Sequence, residues 1–332
     1  MNDSVAIPQR PALTVVLLAP KQLAALRGTL KYLRAQSIAN QIEVIVLGTS
    51  AEQLAQHAPE DVSGFQAVQF IPVGPIENVD MTAPRALPYA KADYVAFIED
   101  HAYPQPGWAE AVVQASQRGV HVIGAAMLNF NPGSMLSWAN LFIGYGVAVA
   151  PTFTGERGSV GLHNSAFQKA ALLKYGEHLP QMMGRDGGLL QDMKSKGMRL
   201  YLPAQALLAH ANPSRLRSTF QLRFNAGRSF GAQRAEIERW SAQKRLIYFV
   251  GGAAIPLVRF VRLYRDLKRI LVHYDLLPRA LPMLFLALIF DAMGQMVGYS
   301  AGYGKSREIL AGFERDRVQH LNRQDRRLSQ SL

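Results

Sequence analysis

Glu99, Asp100 and His101 place two carboxylates and an imidazole in a row at the end of an apolar, partly β-branched run, residues 92–98 (ADYVAFI). Oxygen and imidazole donors suit a divalent cation, and a strand end fixes the direction in which they point. Side chains alternate along an extended chain, so Glu99 and His101 are expected on one side and Asp100 on the other if the extended geometry persists. Taken alone, the triplet is weak evidence and favours a surface turn with a solvated acidic pair. Pro104, Pro106, Gly107 and Trp108 follow it in the pattern Pro-x-Pro-Gly-Trp. His57, His121 and His163 lie in no pattern that gives them a role.

The elements that must position this triplet are legible from periodicity. Residues 13–18 (LTVVLL) predict a buried strand, and Leu23, Leu26, Leu30 and Leu33 recur at helical spacing over 23–33. Residues 42–47 (IEVIVL) repeat the strand signal, closed by the turn chemistry of Gly48, Thr49 and Ser50. Strand, helix and strand make a βαβ unit. A weaker strand at 70–73 and the run into Glu99 add a third and a fourth. Open α/β sheets bind ligands outside the carboxyl ends of their strands, so the turns after strands one, two and four should share a cleft. Further along, the sequence predicts a helix at 109–118, a strand at 120–126, a helix at 165–175, a helix at 189–196 ended by Gly197, and closing strands at 199–202 and 204–209. Residues 130–162, rich in Gly and aromatics, show no period.

With 332 residues and 49% apolar composition, the chain can bury a real core, which excludes general disorder. Cys is absent, so disulfide frameworks, thiolate zinc sites and cysteine nucleophiles are excluded. The net charge of +12 is unevenly held: 15 Lys and Arg balance 15 Asp and Glu up to residue 212, against 21 and 9 beyond it. Such a basic region seeks a polyanion. Long apolar runs at 246–258 and 280–290 separate its basic clusters, which favours an anionic membrane surface over nucleic acid, and no nucleic-acid module is present.

Neither apolar run reaches the roughly 20 residues of a spanning helix. Arg259, Arg262, Arg265, Lys268 and Arg269 alternate with Phe260, Val261, Leu263 and Tyr264, as in a helix lying in the headgroup plane. In-plane or re-entrant helices are therefore expected rather than a clean span. Residues 216–238 predict an amphipathic helix, with Gly227 or Gly231 as points of interruption. The N-terminal segment lacks the basic start of a signal peptide, so the catalytic part is expected in the cytoplasm.

The order of strand, helix, strand ending in Ser, strand ending in an acidic cluster, then Pro-x-Pro-Gly-Trp resembles the family 2 glycosyltransferases of GT-A fold, over roughly residues 13–212. The resemblance implies an α/β fold: a GT-A Rossmann-like mixed sheet with flanking helices over 1–212, followed by a helical, membrane-associated region over 213–332. It implies a metal-dependent, inverting transfer of a sugar from a nucleotide-diphosphate sugar to an acceptor hydroxyl. Mn²⁺ or Mg²⁺ would sit on Glu99, His101 and His210, the last matching the family's domain-closing His. His101 stands where the family usually has Asp, as in its DxH variant. Pro20, Ser50, Arg85, Glu99, Asp100 and Asn164 would contact the donor, and Asp186 would be the catalytic base.

Two departures from the family stand out: the Asp that ordinarily follows strand two is missing, leaving Ser50, and Arg185 replaces the Glu that ordinarily precedes the base. Residues 291–302 (DAMGQMVGYSAG) are similar to a motif of membrane-associated bacterial members, whereas the processive-synthase signature QxxRW is absent around Arg239 and Trp240. Transfer of one sugar to a lipid-linked or cell-envelope glycan acceptor, at the cytoplasmic face of the bacterial inner membrane, is the expectation. A homo-oligomer is compatible with it. The rival expectation is a non-catalytic, membrane-associated assembly protein on a degenerate transferase fold.

Overall fold

A computed structural model describes residues 10–184 and 188–331. Arg185 and the expected base Asp186 lie outside the described residues. The chain forms two compact units, neither contiguous in sequence. The first takes in the chain up to Ile76, Asp80–Ala125 and Thr154–Leu208; the second takes in Glu77–Val79, Ala126–Phe153 and Ala209–Leu332.

The strands, in chain order, are β1 (Leu13–Ala19), β2 (Ile42–Gly48), β3 (Ala67–Pro72), β4 (Tyr94–Phe97), β5 (Ala102–Pro104), β6 (Val122–Ile123), β7 (Ala126–Asn129), β8 (Gly155–Glu156), β9 (Ser165–Gln168), β10 (Leu200–Leu202) and β11 (Leu207–His210). Eight of them form the sheet of the first unit, in the order β3-β2-β1-β4-β9-β6-β10-β8. β1 runs parallel to β2 on one side, with Val16 opposite Ile45, and to β4 on the other, with Val16 opposite Phe97. The chain thus leaves β1 toward one edge and returns to its other flank, which makes β1 and β4 the point where strand order reverses. β9 is antiparallel to both β4 and β6. Val15, Val16, Leu17, Val44, Ile45, Val46 and Leu47 are fully buried, as strands covered on both faces require.

The mixed sheet, its flanking helices and the helical C-terminal region are those the sequence predicts. Four local expectations are corrected. Residues 23–33 divide into a 3₁₀ turn, Leu23–Leu26, and a helix α1, Arg27–Arg34. The strand expected at 120–126 breaks into β6 and β7 around Gly124, where a Cβ would lie 2.8 Å from the Val160 side chain. The helix expected at 165–175 begins instead as β9, because Ala166 and Phe167 fill the gap between β4 and β6; only Lys169–Leu173 is helical. In the aperiodic stretch 130–162 a helix, Met135–Tyr145, is capped by the Ser134 hydroxyl.

The remaining helices that matter here are α2 (Ala51–Leu54), α3 (Trp108–Ser116), α4 (Met135–Tyr145), α5 (Gly188–Ser195), α6 (Leu216–Ile237), α7 (Ala242–Gly251), α8 (Ile255–His273), α9 (Ala280–Ala301), α10 (Ser306–Arg315) and α11 (Arg323–Gln330). In the second unit α6 is continuous for 22 residues, and its glycines do not interrupt it. They are contact points. A Cβ on Gly227 would overlap the Asp291 carbonyl oxygen, one on Gly231 would lie 2.5 Å from the Gln295 oxygen, and Gly294 and Gly298 of α9 meet the backbone of Phe224 and Arg228 in the same way. Small residues four apart on both helices let the backbones touch.

α9 passes through Asp291, where the sequence-based count of the apolar run stops, because that carboxylate is satisfied inside the unit. Arg259 pairs with Asp291 Oδ1, and Gln295 Nε2 donates to the same oxygen at 2.7 Å. By length and composition, Ala280–Ala301 and the run Ala242–His273 are each long and apolar enough to cross a membrane. Nearby, the buried Arg223 donates to Asn140 Oδ1 at 2.7 Å and to the Asn140 carbonyl at 3.0 Å. Burial pulls its pKa down to about 10, which still leaves it a cation near neutrality.

Candidate functional site

β4 ends at Phe97 because the chain then turns: the Ala102 amide donates to the Glu99 carbonyl at 3.2 Å. Thr29 of α1 places its hydroxyl 3.4, 3.2 and 3.1 Å from the carbonyl oxygens of Glu99, Asp100 and Ala102, within reach of each. The alternation expected for an extended triplet therefore fails. Asp100 does not face away from His101 but holds it, with His101 Nδ1 2.8 Å from Asp100 Oδ1, while His101 Nε2 lies 3.6 Å from Glu99 Oε2. His101 is 3% exposed, so this imidazole is fixed rather than solvated.

Such a contact selects one tautomer. An Nδ1–H donating to Asp100 leaves the Nε2 lone pair directed toward the Glu99 side, the arrangement in which an outer carboxylate orients a ligating histidine. Glu99 is itself clamped. Asn164 Nδ2 donates to Glu99 Oε2 at 2.5 Å, and the Glu99 amide donates to Asn164 Oδ1 at 3.2 Å. Asn164 adopts φ 58°, a left-handed conformation that Asn accepts more readily than most residues, and its own amide donates to the Phe97 carbonyl at 2.8 Å. Asn164, expected to contact the donor, serves here to hold Glu99.

Two residues that sequence reasoning left unassigned also belong here. His163 Nδ1 lies 3.3 Å from Asp80 Oδ1 and 3.4 Å from Glu99 Oε1, so it links a second carboxylate to the first. The available signal was adjacency: His163 immediately precedes Asn164.

Other expected positions serve local structure. Ser50 caps α2, its hydroxyl accepting from the Gln53 amide at 3.2 Å. Thr49 donates to Gln53 Oε1 through its amide at 2.6 Å, and Gln53 Nε2 donates to the Ala19 carbonyl at 2.8 Å. Gln53, not foreseen as a site residue, thereby ties the carboxyl ends of β1 and β2 together. Pro20 directly follows β1. Arg85 is exposed and donates to the Val73 carbonyl at 2.5 Å. After residues 185–187, α5 is pinned by Tyr175, whose hydroxyl donates to Asp192 Oδ2 at 2.7 Å; burial, then this bond, pushes the Tyr175 pKa up.

In the second unit His210 ends β11 and is 4% exposed. Its Nδ1 lies 2.9 Å from Asn212 Oδ1, and the Tyr145 ring packs edge-on at 5.1 Å. Asn212 is held in turn, its amide donating to Asn131 Oδ1 at 2.9 Å, and Asn131 Nδ2 donates to Asp325 of α11 at 2.8 Å. His210 resembles His101 in one respect: its Nδ1 faces an oxygen of a side chain that is itself held in place.

No protein-family model matches the chain, and no curated protein does. Among solved structures it is similar to the crystal structure of S. aureus TarS 1–349 in complex with UDP, at 13% identity over 88% of this chain and 90% of that one, with a TM-score of 0.46. It is also similar to the mannosyltransferase PcManGT from Pyrobaculum calidifontis in complex with GDP-Man and Mn²⁺, at 16% identity over 93% of this chain and 88% of that one, with a TM-score of 0.47.

Chemically, the first unit brings together a carboxylate and an imidazole with both orientations determined, at the end of the central strand beside the strand-order reversal. Carboxylate oxygen and neutral imidazole form a donor set suited to Mn²⁺, and acceptable to Mg²⁺ mainly through the carboxylate.

Proposed function

We propose that the chain is a metal-dependent glycosyltransferase that moves a sugar from a nucleotide-diphosphate sugar to an acceptor hydroxyl. The observation that carries this reading is the Glu99–His101 pair, whose two side chains are each oriented by a dedicated partner, Asn164 and Asp100. Glu99, His101 and His210 supply ligand types for a divalent cation, with Mn²⁺ or Mg²⁺ as the proposed ion. When bound, the ion supplies Lewis-acid neutralisation of the departing diphosphate.

The chain's own residues carry the rest. Asp186 accepts the proton of the acceptor hydroxyl as its oxygen bonds to the anomeric carbon, and the bond from that carbon to the diphosphate oxygen breaks. A single displacement of this kind inverts the anomeric configuration. Arg85, released from the Val73 carbonyl, meets the diphosphate. Pro20 and Ser50, at the ends of β1 and β2, border the nucleoside crevice, with Asp100 and Asn164 acting beside Glu99. The acceptor is a lipid-linked or cell-envelope glycan met at the cytoplasmic face of the inner membrane, a reading supported by the basic, apolar-studded C-terminal region.

A second reading, a membrane-associated assembly protein without catalysis, is favoured by one observation: the hydroxyls of Thr49 and Ser50, which stand where the family has its base-binding Asp, are already engaged with Gln53 and its amide. A panel of nucleotide-sugars with Mn²⁺ separates the two. Transferase activity predicts donor hydrolysis or metal-dependent stabilisation for at least one sugar. Asp186→Asn then lowers turnover by about 10² to 10⁴ with donor affinity retained. A panel without hydrolysis, stabilisation or metal binding supports the assembly reading.

A further inference from the structure

α7, a 3₁₀ turn at Gly252–Ala254 and α8 form a helical run of 32 residues, Ala242–His273. Between Arg245 and Arg262 this run carries a single charged residue, Arg259. Its apolar side chains are turned outward: Val250 is 66% exposed, and Leu246, Ile247, Leu257, Val258 and Val261 are exposed with it. The trio 246, 247 and 250 on α7 is matched by the trio 257, 258 and 261 on α8, on the far side of the 3₁₀ turn. Arg259 would spoil this surface, but its guanidinium turns inward to Asp291 of α9, whose side chain is 7% exposed. Beyond Val261 the character reverses, with Arg262, Arg265, Lys268 and Arg269 exposed along the same run.

We infer that residues 246–261 enter the hydrocarbon boundary of an anionic bilayer, that Arg262, Arg265, Lys268 and Arg269 meet its phosphate headgroups, and that the Arg259–Asp291 pair is the internal neutralisation that lets the segment enter. This deepens the membrane association proposed above and rests on it only for the place of the acceptor. Sixteen helical residues span about 24 Å, short of the roughly 30 Å hydrocarbon core. In this proposal the outward-facing stretch lies shallow or in plane, although the full run Ala242–His273 is long and apolar enough to cross. A second copy of the chain fits the surface less well, because four cations would need acidic partners and this run offers Asp266 alone. Lipid phosphates supply them. α9 is no rival for the bilayer along its glycine side, which is closed against α6.

The absence of Cys permits clean single-site labelling. Val250→Cys and Lys268→Cys, each carrying an environment-sensitive fluorophore, are mixed as full-length protein with phosphatidylcholine vesicles containing 30% phosphatidylglycerol. The expected result is quenching of the position-250 label by acyl-chain spin labels and of the position-268 label by headgroup spin labels only, with binding at least about tenfold weaker to pure phosphatidylcholine. Asp291→Asn, which strands a cation on the inserting segment, should weaken vesicle binding about tenfold or more, and the neutral pair Arg259→Met with Asp291→Asn should restore it. A position-250 label indifferent to vesicles, or one that responds to protein concentration alone, overturns the lipid assignment in favour of no partner or a second copy. Equal weakening by the single and double variants, at unchanged helical content, overturns the neutralisation role. Neither readout needs donor or metal, so a failure here leaves the transferase reading standing, and inactivity toward every donor leaves this one standing.

Discussion

Asn164 grips Glu99 at both ends, accepting from its backbone amide at 3.2 Å and donating to its carboxylate at 2.5 Å. Partners that orient a ligand in this way typically contribute 10- to 100-fold in metal affinity or activity. Asn164→Gly keeps the left-handed backbone and removes only the grip, so its Mn²⁺ affinity should fall by about that factor with the melting temperature nearly unchanged. Asn164→Ala should add a backbone penalty of about 1 kcal/mol. Calorimetric Mn²⁺ titration beside thermal melts of both variants checks the pair; a glycine variant with wild-type affinity would remove the grip from the site.

His101 gives the proposed site its softer donor. Exchange to Ala should leave an oxygen-only contribution from the first unit and so erase any preference for Mn²⁺ over Mg²⁺, with activity down by roughly two orders of magnitude. Activity titrated with each ion measures this. An unchanged preference would exclude His101 as a ligand.

Gly227 and Gly251 should respond to the same substitution with opposite signs. At Gly227 a methyl group meets the Asp291 carbonyl, and Gly227→Ala should destabilise by about 1 to 3 kcal/mol or more. At Gly251 nothing lies within 4 Å of an added Cβ, and Gly251→Ala should stabilise by about 0.5 to 1 kcal/mol. Chemical denaturation of the two variants in parallel decides.

His320 makes stability pH-dependent. Its ring stacks on Phe313 at 3.7 Å, its Nδ1 lies 3.1 Å from Ser218 Oγ, and burial, reinforced by Arg317, holds its pKa down at about 4. Between the unfolded value near 6.5 and the folded one, the unfolded chain binds the extra proton, so stability falls as pH drops through that window. Discounted for partial exposure, the loss at pH 5 should be about 1 kcal/mol. His320→Gln should flatten this part of the profile; equal slopes for both proteins between pH 7 and pH 5 would refute it.

The strands that build the site were legible because a sheet buried on both faces needs nearly continuous apolar runs, and LTVVLL and IEVIVL are such runs, each broken once, by Thr14 and Glu43, which hydrogen-bond to each other. Glu99 was legible for the converse reason, an abrupt charge at the end of one. The placement of Asp100 was not, because the turn that brings it to His101 is secured by Thr29, seventy-odd residues earlier. His163 and Asp80 approach Glu99 from stretches with no period at all. β9 was mistaken for helix because AFQKAALL suits either element until β4 and β6 claim Ala166 and Phe167. Gly227 and Gly231 looked like breaks, since a sequence does not reveal that another backbone will occupy the space their missing side chains leave.

The glycine crossing of α6 and α9 has one more result. At four successive points a backbone carbonyl of one helix fills the space a Cβ would need on the other, so these glycines admit no larger residue without a shift of the helices. Asp291 sits in this seam while reaching Arg259. The segment 246–261 is thus tied, through Arg259, to the residue whose carbonyl closes the contact at Gly227, so a change at that glycine reaches the segment through a single side chain.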